Sequence, residues 1–322
     1  MPFVTEPLVQ LRYGPLDLPS FTGTECLAPD VLENLMMDRD PADSRMISGA
    51  WYQPVADFVA KRIAQIPRSF AEKAQTIFIH RCVLQTQNSQ TLQDALSMCA
   101  LYCMRTSDNQ KVLYGILEDR VKQLTITMNV LRVSRSELLV RVQALLLYQI
   151  IRLFDGDIRL RTEAEADEIT LLSWTSELKS RMQTIEPSSS SLANALYTVA
   201  AVPSNWLHWL FEESVRRTVF TVTMVKALYD FLKHGFDEVS EDRLCFTAQA
   251  ALWNAQSEYS WRTAWHKHER LEVRSSNWTH DIEKATPNDL EELGVLTMVS
   301  IWGLESSVEW LGQDRVAEYG LQ

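Results

Sequence analysis

Within residues 206–217, Trp206, His208 and Trp209 are followed by Glu213, Arg216 and Arg217. On a helix, Glu213 reaches Arg216 at three residues and Arg217 at four, both bonding distances. A carboxylate set between two guanidiniums, beside an imidazole and indoles, could line an effector pocket and orient a polar group there. The same residues also fit a helix-surface ion pair beside a capped core edge, worth only about 0.3–0.5 kcal/mol. Further along stand Trp253, Trp261, Trp265, Trp278, Trp302 and Trp310, so most of the ten tryptophans lie beyond residue 205. Such rings could wall a pocket for a flat apolar ligand, although at the helical spacing of Trp261 and Trp265 they equally serve as core. The candidate effector pocket is therefore Trp206, His208, Trp209, Glu213, Arg216, Arg217, Trp253 and Trp261.

Other candidates carry less. His266 and His268 could ligate a metal, but residues two apart on a helix point to different faces, and no third ligand stands near. Cys99 and Cys103 share a helical face whose apolar neighbours read them as core thiols. The five cysteines, Cys26, Cys82, Cys99, Cys103 and Cys245, are too scattered to clamp a binuclear zinc cluster. Asp38, Asp40 and Asp43 surround Pro41 and read as a surface loop. No Gly-rich phosphate loop, nucleophile elbow or His-Glu-x-x-His pair occurs. No catalytic residue, metal or cofactor is expected.

The elements that position these residues are helical. Phe211, Val215, Thr218, Val222, Val225, Tyr229 and Leu232 recur at spacings of four and three, the face of one amphipathic helix over 206–234. Lys233 and His234 suit its negative end, and Gly235 follows as its cap. That heptad-like face admits a homodimer, though a single stripe of this length more often faces the chain's own core. Residues 51–65 and 68–79 read as helices separated at Pro67. Thr91 to Asp94 has the form of a capping box opening a helix over 92–104, and another helix covers 109–128. Ser134 to Glu137 is a second box, opening a helix over 135–154 that is apolar on most sides and so belongs at a bundle's centre. A more polar helix spans 158–184. Pro187 and Ser188–Ser191 form the clearest linker, a boundary between subdomains or a join between two helices. Shorter helices are read at 245–254 and 257–269. Thr286, Pro287 and Asp289 announce a helix over 287–302, and a last one lies near 304–317. Residues 1–48 form an irregular amino-terminal arm with one short helix at 30–37, and 49–322 a helical domain. With no sustained strand alternation, the fold class is all-α, a multi-helix bundle.

Composition narrows the function. Apolar residues make up 46%, enough for a sizeable core, and the formal charge of −11 lacks the footprint of sequence-independent nucleic-acid binding. Arg132, Arg135 and Arg141 are candidates for a local basic patch, or for a solvated helix edge. The charge also argues against adhesion to anionic lipid. No run approaches the roughly 18 apolar residues that span a bilayer. Sparse cysteines suit reduced thiols of the cytosol or nucleus, and the Asn277-Trp278-Thr279 sequon reads as chance without a secretory route.

The run Glu212-Glu213-Ser214-Val215-Arg216-Arg217-Thr218, preceded by its tryptophans, resembles the regulatory region of fungal binuclear zinc-cluster transcription factors, nearest the variety found beside secondary-metabolite genes. The likeness runs from about residue 76 to 300. It includes Ile77 to His80, Thr91 to Tyr102, Ile116 to Val121, Leu252 to Ser257 with Trp261, Ala264 and Trp265, and Asp289 to Gly294. The family carries its zinc module at the amino terminus, and this chain shows none. The resemblance therefore implies a nuclear regulatory or effector region, with a cytoplasmic location as the alternative. It would act through a partner regulator or a small apolar effector and not by autonomous DNA binding. Three origins remain open: a regulator without its DNA-binding head, part of a longer gene, or the same scaffold put to another use. A rival class is an enzyme of specialised metabolism using the aromatic half as an apolar pocket.

Overall fold

The structure, a computed structural model, describes residues 52–87, 89–130, 132–183, 205–235 and 244–321. The expected arm at 1–48, the helix at 30–37, Trp51, and the linker at 187–191 lie outside the described residues.

A run of helices opens the body: α1 (Gln53–Ile63), α2 (Ile66–Lys73), α3 (Arg81–Gln87), α4 (Gln90–Cys103), α5 (Gln110–Ile126), α6 (Arg135–Phe154), α7 (Ile158–Gln183) and α8 (Trp206–His234). There follow β1 (Cys245–Thr247), α9 (Ala250–Trp253), α10 (Glu258–Lys267), β2 (Glu272–Arg274), α11 (Trp278–Asp281) and α12 (Glu292–Tyr319), with short 3₁₀ turns at Ser275–Asn277 and Pro287–Asp289. The class is all-α. Its one embellishment among the described residues is a two-stranded antiparallel ribbon pairing Cys245 with Arg274, Phe246 with Val273 and Thr247 with Glu272.

Helix α6 is the axle. Leu138, Leu139, Val142, Leu145, Leu146 and Ile150 are buried, and so are Val140, Leu147 and Ile151 on its other sides. It packs against α2, α4, α5, α7 and α8, the position its all-round apolar pattern requires. Ser134 caps it by accepting from the Glu137 N–H at 3.1 Å, while Glu137 itself turns to Arg141 at 2.6 Å. Arg135 pairs with Glu212 at 2.9 Å, so two of the three arginines of the supposed basic patch are committed to carboxylates.

Helix α8 lies across α6 with the expected stripe inward. Val215, Thr218, Val222, Val225 and Tyr229 are buried in the chain's own core, with Phe211 and Leu232 half-buried at the ends. Asn205 Oδ1 accepts from the Leu207 N–H at 2.7 Å, and Gly235 closes the helix at φ +76° with its N–H on the Phe231 carbonyl at 2.8 Å. A Cβ on Gly235 would meet nothing within 4 Å. Gly235→Ala is therefore expected to lose about 1 kcal/mol from backbone strain alone, read as a lower urea midpoint at constant m-value.

Several boundaries differ from expectation. Pro67 starts α2 in its first turn and does not break a longer helix. Helix α2 ends at Ala74 in the left-handed region (φ 52°), and Thr76 folds the next residues into a turn by accepting from the Phe78 and Ile79 N–H groups. Thr91 lies inside α4, whose first residue is Gln90, and Asp94 pairs with Gln90 and Arg120 in place of closing a capping box. Residues 245–247 form a strand where a helix was expected. With Cys245, Phe246 and Thr247 all buried, a strand this short carries no alternation to read. The Thr286–Asp289 box exists, but it closes only the 3₁₀ turn. Glu291 caps α12 instead, accepting from the Leu293 N–H at 3.1 Å. Gly303 (φ 82°) interrupts α12 where two helices were expected to meet, and Gly312 (φ 73°) adds a second break.

Candidate effector site

The first half of α8 aims Glu213, Arg216 and Arg217 inward, and all three are buried. They do not form the surface ion pair that spacing alone allowed. Arg216 donates through Nε and Nη2 to Glu213 Oε2 at 3.0 and 2.7 Å, and Arg217 Nε donates to Oε1 at 2.9 Å. Strand β1 completes the carboxylate's shell: the Thr247 N–H reaches Oε1 at 2.8 Å and the Thr247 hydroxyl reaches Oε2 at 3.0 Å.

Arg217 is the hub. Its Nη1 donates to the Ile77 carbonyl and to Glu291 Oε1, each at 3.0 Å, and Nη2 donates to the Thr247 carbonyl at 2.6 Å. One fully buried guanidinium thus ties the 76–80 turn, α8, β1 and the start of α12. The planar fork makes this multiplicity available to Arg and not to Lys. Below it, Gln143 Nε2 donates to the Phe78 carbonyl at 2.9 Å and the Thr218 hydroxyl at 3.2 Å, linking α6 to the same turn.

Two carboxylates face two guanidiniums, and their environments pull the acids apart. Burial pushes the Glu213 carboxyl up, but the Arg216 and Arg217 charges and the Thr247 N–H outweigh it, leaving the group below its ordinary range. For Glu291, burial exceeds what Arg217 and the Leu293 N–H return, and its carboxyl sits above that range.

Against this network lies a second, smaller core of Cys82, Trp206, Trp209, Leu210, Leu252, Trp253, Ala255, Trp261, Ala264 and Trp265. Trp209 stands 5.6 Å from Trp261 and 6.4 Å from Trp265, centroid to centroid, and Trp261 and Trp265 are 4.9 Å apart. Trp253 joins the two assemblies, its ring lying 4.0 Å from the Arg217 guanidinium carbon. The structure therefore brings together Trp206, Trp209, Trp253 and Trp261, and beside them Glu213, Arg216 and Arg217. His208 is exposed and joins neither group.

His80 occupies the place His208 was expected to fill. It is fully buried, its ring 5.4 Å from Trp253 and 6.3 Å from Trp206, and its Nδ1 accepts from the Cys82 N–H at 3.2 Å. Burial, then the Arg81 and Arg217 charges, lower its pKa from 6.5 to about 4, against the raising effect of the Ala255 and Trp253 carbonyls. The neutral ring is the folded form. Its contribution to stability is complete above pH 6.5 and disappears as pH falls from 6.5 through 4, a loss of roughly 3 kcal/mol. In urea unfolding measured from pH 7 to 4, His80→Gln is expected to flatten that part of the profile.

His80, Thr247, Glu291 and Gln143 escaped motif reasoning. Two of them do sit inside the family-like words Ile77 to His80 and Asp289 to Gly294, the one signal in the sequence that pointed to them. His268 lies 3.9 Å from Asp289, and among the described residues no group of three or more His, Cys, Asp or Glu is placed to hold a metal ion. No helix among them is long and apolar enough to cross a membrane.

The chain is 44% identical over 309 residues to transcription factor gsfR2 of Penicillium aethiopicum, a match covering 96% of this chain and 74% of that relative. No family model matches the chain, and no solved structure matches it.

Proposed function

Because the chain belongs to the fungal transcription-factor family of gsfR2, we propose that it is a nuclear regulatory protein controlling specialised-metabolite biosynthetic genes. It acts through its helical body, which binds a partner regulator or a small apolar effector, and it performs no covalent chemistry. The observation that carries this reading is the identity shared along nearly the whole chain with a protein named for transcription. The charge of −11 supports action through proteins or small molecules over sequence-independent contact with phosphate. The buried network supports a relay, since Arg217 joins four separate segments and Trp253 connects it to the aromatic compartment.

Deleting the gene and profiling transcripts tests the proposal. Loss of transcripts from a biosynthetic gene cluster, together with capture of a nuclear partner by the tagged chain, is the expected result. Accumulation of a biosynthetic intermediate with those transcripts unchanged would overturn it in favour of an enzyme.

A further inference from the structure

We propose that the aromatic compartment of Trp206, Trp209, Trp253, Trp261 and Trp265 binds an uncharged, planar aromatic carbonyl compound, its carbonyl oxygen accepting hydrogen bonds from indole N–H groups. This rests on the effector reading above and names the effector's chemistry.

Three observations converge. The indole N–H groups of Trp206, Trp209 and Trp261 are buried with no acceptor, all in one cluster of rings. A buried donor without a partner is costly, and a native core seldom holds several together without a use for them. A ligand that brings an acceptor relieves that penalty, whereas a hydrocarbon does not.

The second observation is charge. The neighbouring Arg216 and Arg217 are matched by Glu213 and Glu291, so no guanidinium is left over for an anion. His80 is held neutral by its burial and by the nearby Arg charges, and Arg270, 5.1 Å from the Trp265 ring, pairs with Glu272 at 3.8 Å. The site selects an uncharged molecule. Its walls are indole rings meeting at tilted and edge-on angles, which favours a flat ring system and disfavours a bulky aliphatic one.

The third is separability. This cluster is distinct from the main core, and its outer wall is α10, a ten-residue helix resting on α8 and α9. Displacing α10 parts Trp209 from Trp261 and Trp265 while α6 keeps its packing. Exposed Leu207 and Tyr259, next to Trp206 and near Trp261 in sequence, give the approach an apolar character.

The test uses the full chain with ¹⁵N-labelled tryptophan indoles, titrated with xanthone and with 9H-xanthene, a tricycle of about the same size with a methylene in place of the carbonyl. The expected result is movement of the Trp209 and Trp261 indole resonances by xanthone, and affinity for xanthone about a hundredfold above that for xanthene, the worth of two net hydrogen bonds. Trp209→Phe keeps a ring and removes the donor, so it weakens xanthone about tenfold and spares xanthene. Trp261→Phe provides the same measurement independently, with the remaining indole resonances reporting an intact fold. Equal binding of the two probes, movement confined to Trp278 and Trp302, or no xanthone binding up to its solubility limit would overturn the site. Xanthone binding as described, with transcripts indifferent to deletion of the gene, would remove the regulatory reading and leave the site standing. Transcripts that depend on the gene, with no xanthone binding, would do the reverse.

Discussion

Arg217→Met is expected to lower the unfolding free energy by about 3–5 kcal/mol, because removing one partner of a buried ion network strands the others. The apolar side chain fills a similar volume, so a cavity contributes little. What is lost is the donor set: Glu291 Oε1, the Ile77 carbonyl and the Thr247 carbonyl each lose their bond from Arg217, and Glu213 keeps only Arg216 and Thr247. Arg217→Lys retains the charge, but a single ammonium cannot serve acceptors on four segments at once, so an intermediate loss follows. Acid reveals the mechanism. With Arg217 gone, the Glu213 carboxyl rises, and that of Glu291, already above its ordinary range, rises further. Protonation then favours the folded form, so the variant's deficit against the parent narrows as pH falls through those raised values toward the ordinary carboxylate range. Urea midpoints followed by circular dichroism at pH 7 and pH 5 measure both effects. A deficit under about 1 kcal/mol that does not change with pH would mean that the network is solvated and not sealed.

How far the sequence disclosed all this depends on the length of pattern available. Helices α6 and α8 were legible almost to the residue, since 20 and 29 residues sample the helical period several times and Ser134 and Gly235 mark two of their ends. The β1–β2 ribbon was not, because three fully buried residues show no alternation. Capping patterns misled where a tertiary partner was stronger: Asp94 belongs to Arg120, and the Thr286 box closes a turn ahead of the true cap at Glu291. For the site, helical spacing correctly joined Glu213 to Arg216 and Arg217, but could not reveal that β1 and the 76–80 turn would bury them. Burial is set by elements 30 and 140 residues away in the chain. The choice of His208 over His80 failed for the same reason. His208 is adjacent in sequence to the tryptophans and points to solvent, whereas His80 arrives from a separate turn and stands between two of their rings.

Trp253→Ala carries the second large expected effect, about 3–5 kcal/mol, the usual loss for truncating a buried aromatic ring. Trp253 is almost fully buried, and its ring covers the Arg217 guanidinium at 4.0 Å and meets His80 edge-on at 5.4 Å. Its removal does more than leave a void. It exposes one face of the ion network, raising the local dielectric and weakening every charge pair at Arg217. The two residues should therefore be non-additive. In a double-mutant cycle with Arg217→Met, the coupling is expected to be about 1–2 kcal/mol, in the range of a desolvated cation–π contact plus the loss of shielding. Trp253→Phe keeps a ring over the guanidinium and should retain much of that coupling while losing packing. On the proposed reading this coupling has a functional consequence. An effector that moves the aromatic compartment shifts the Trp253 ring, and Arg217 transmits the shift to β1 and to the start of α12. The coupling free energy measured by the cycle sets the scale on which those two regions can influence each other. If the cycle closes to zero, the aromatic compartment and the ion network are independent structural units, and a signal passing through Arg217 has no physical carrier.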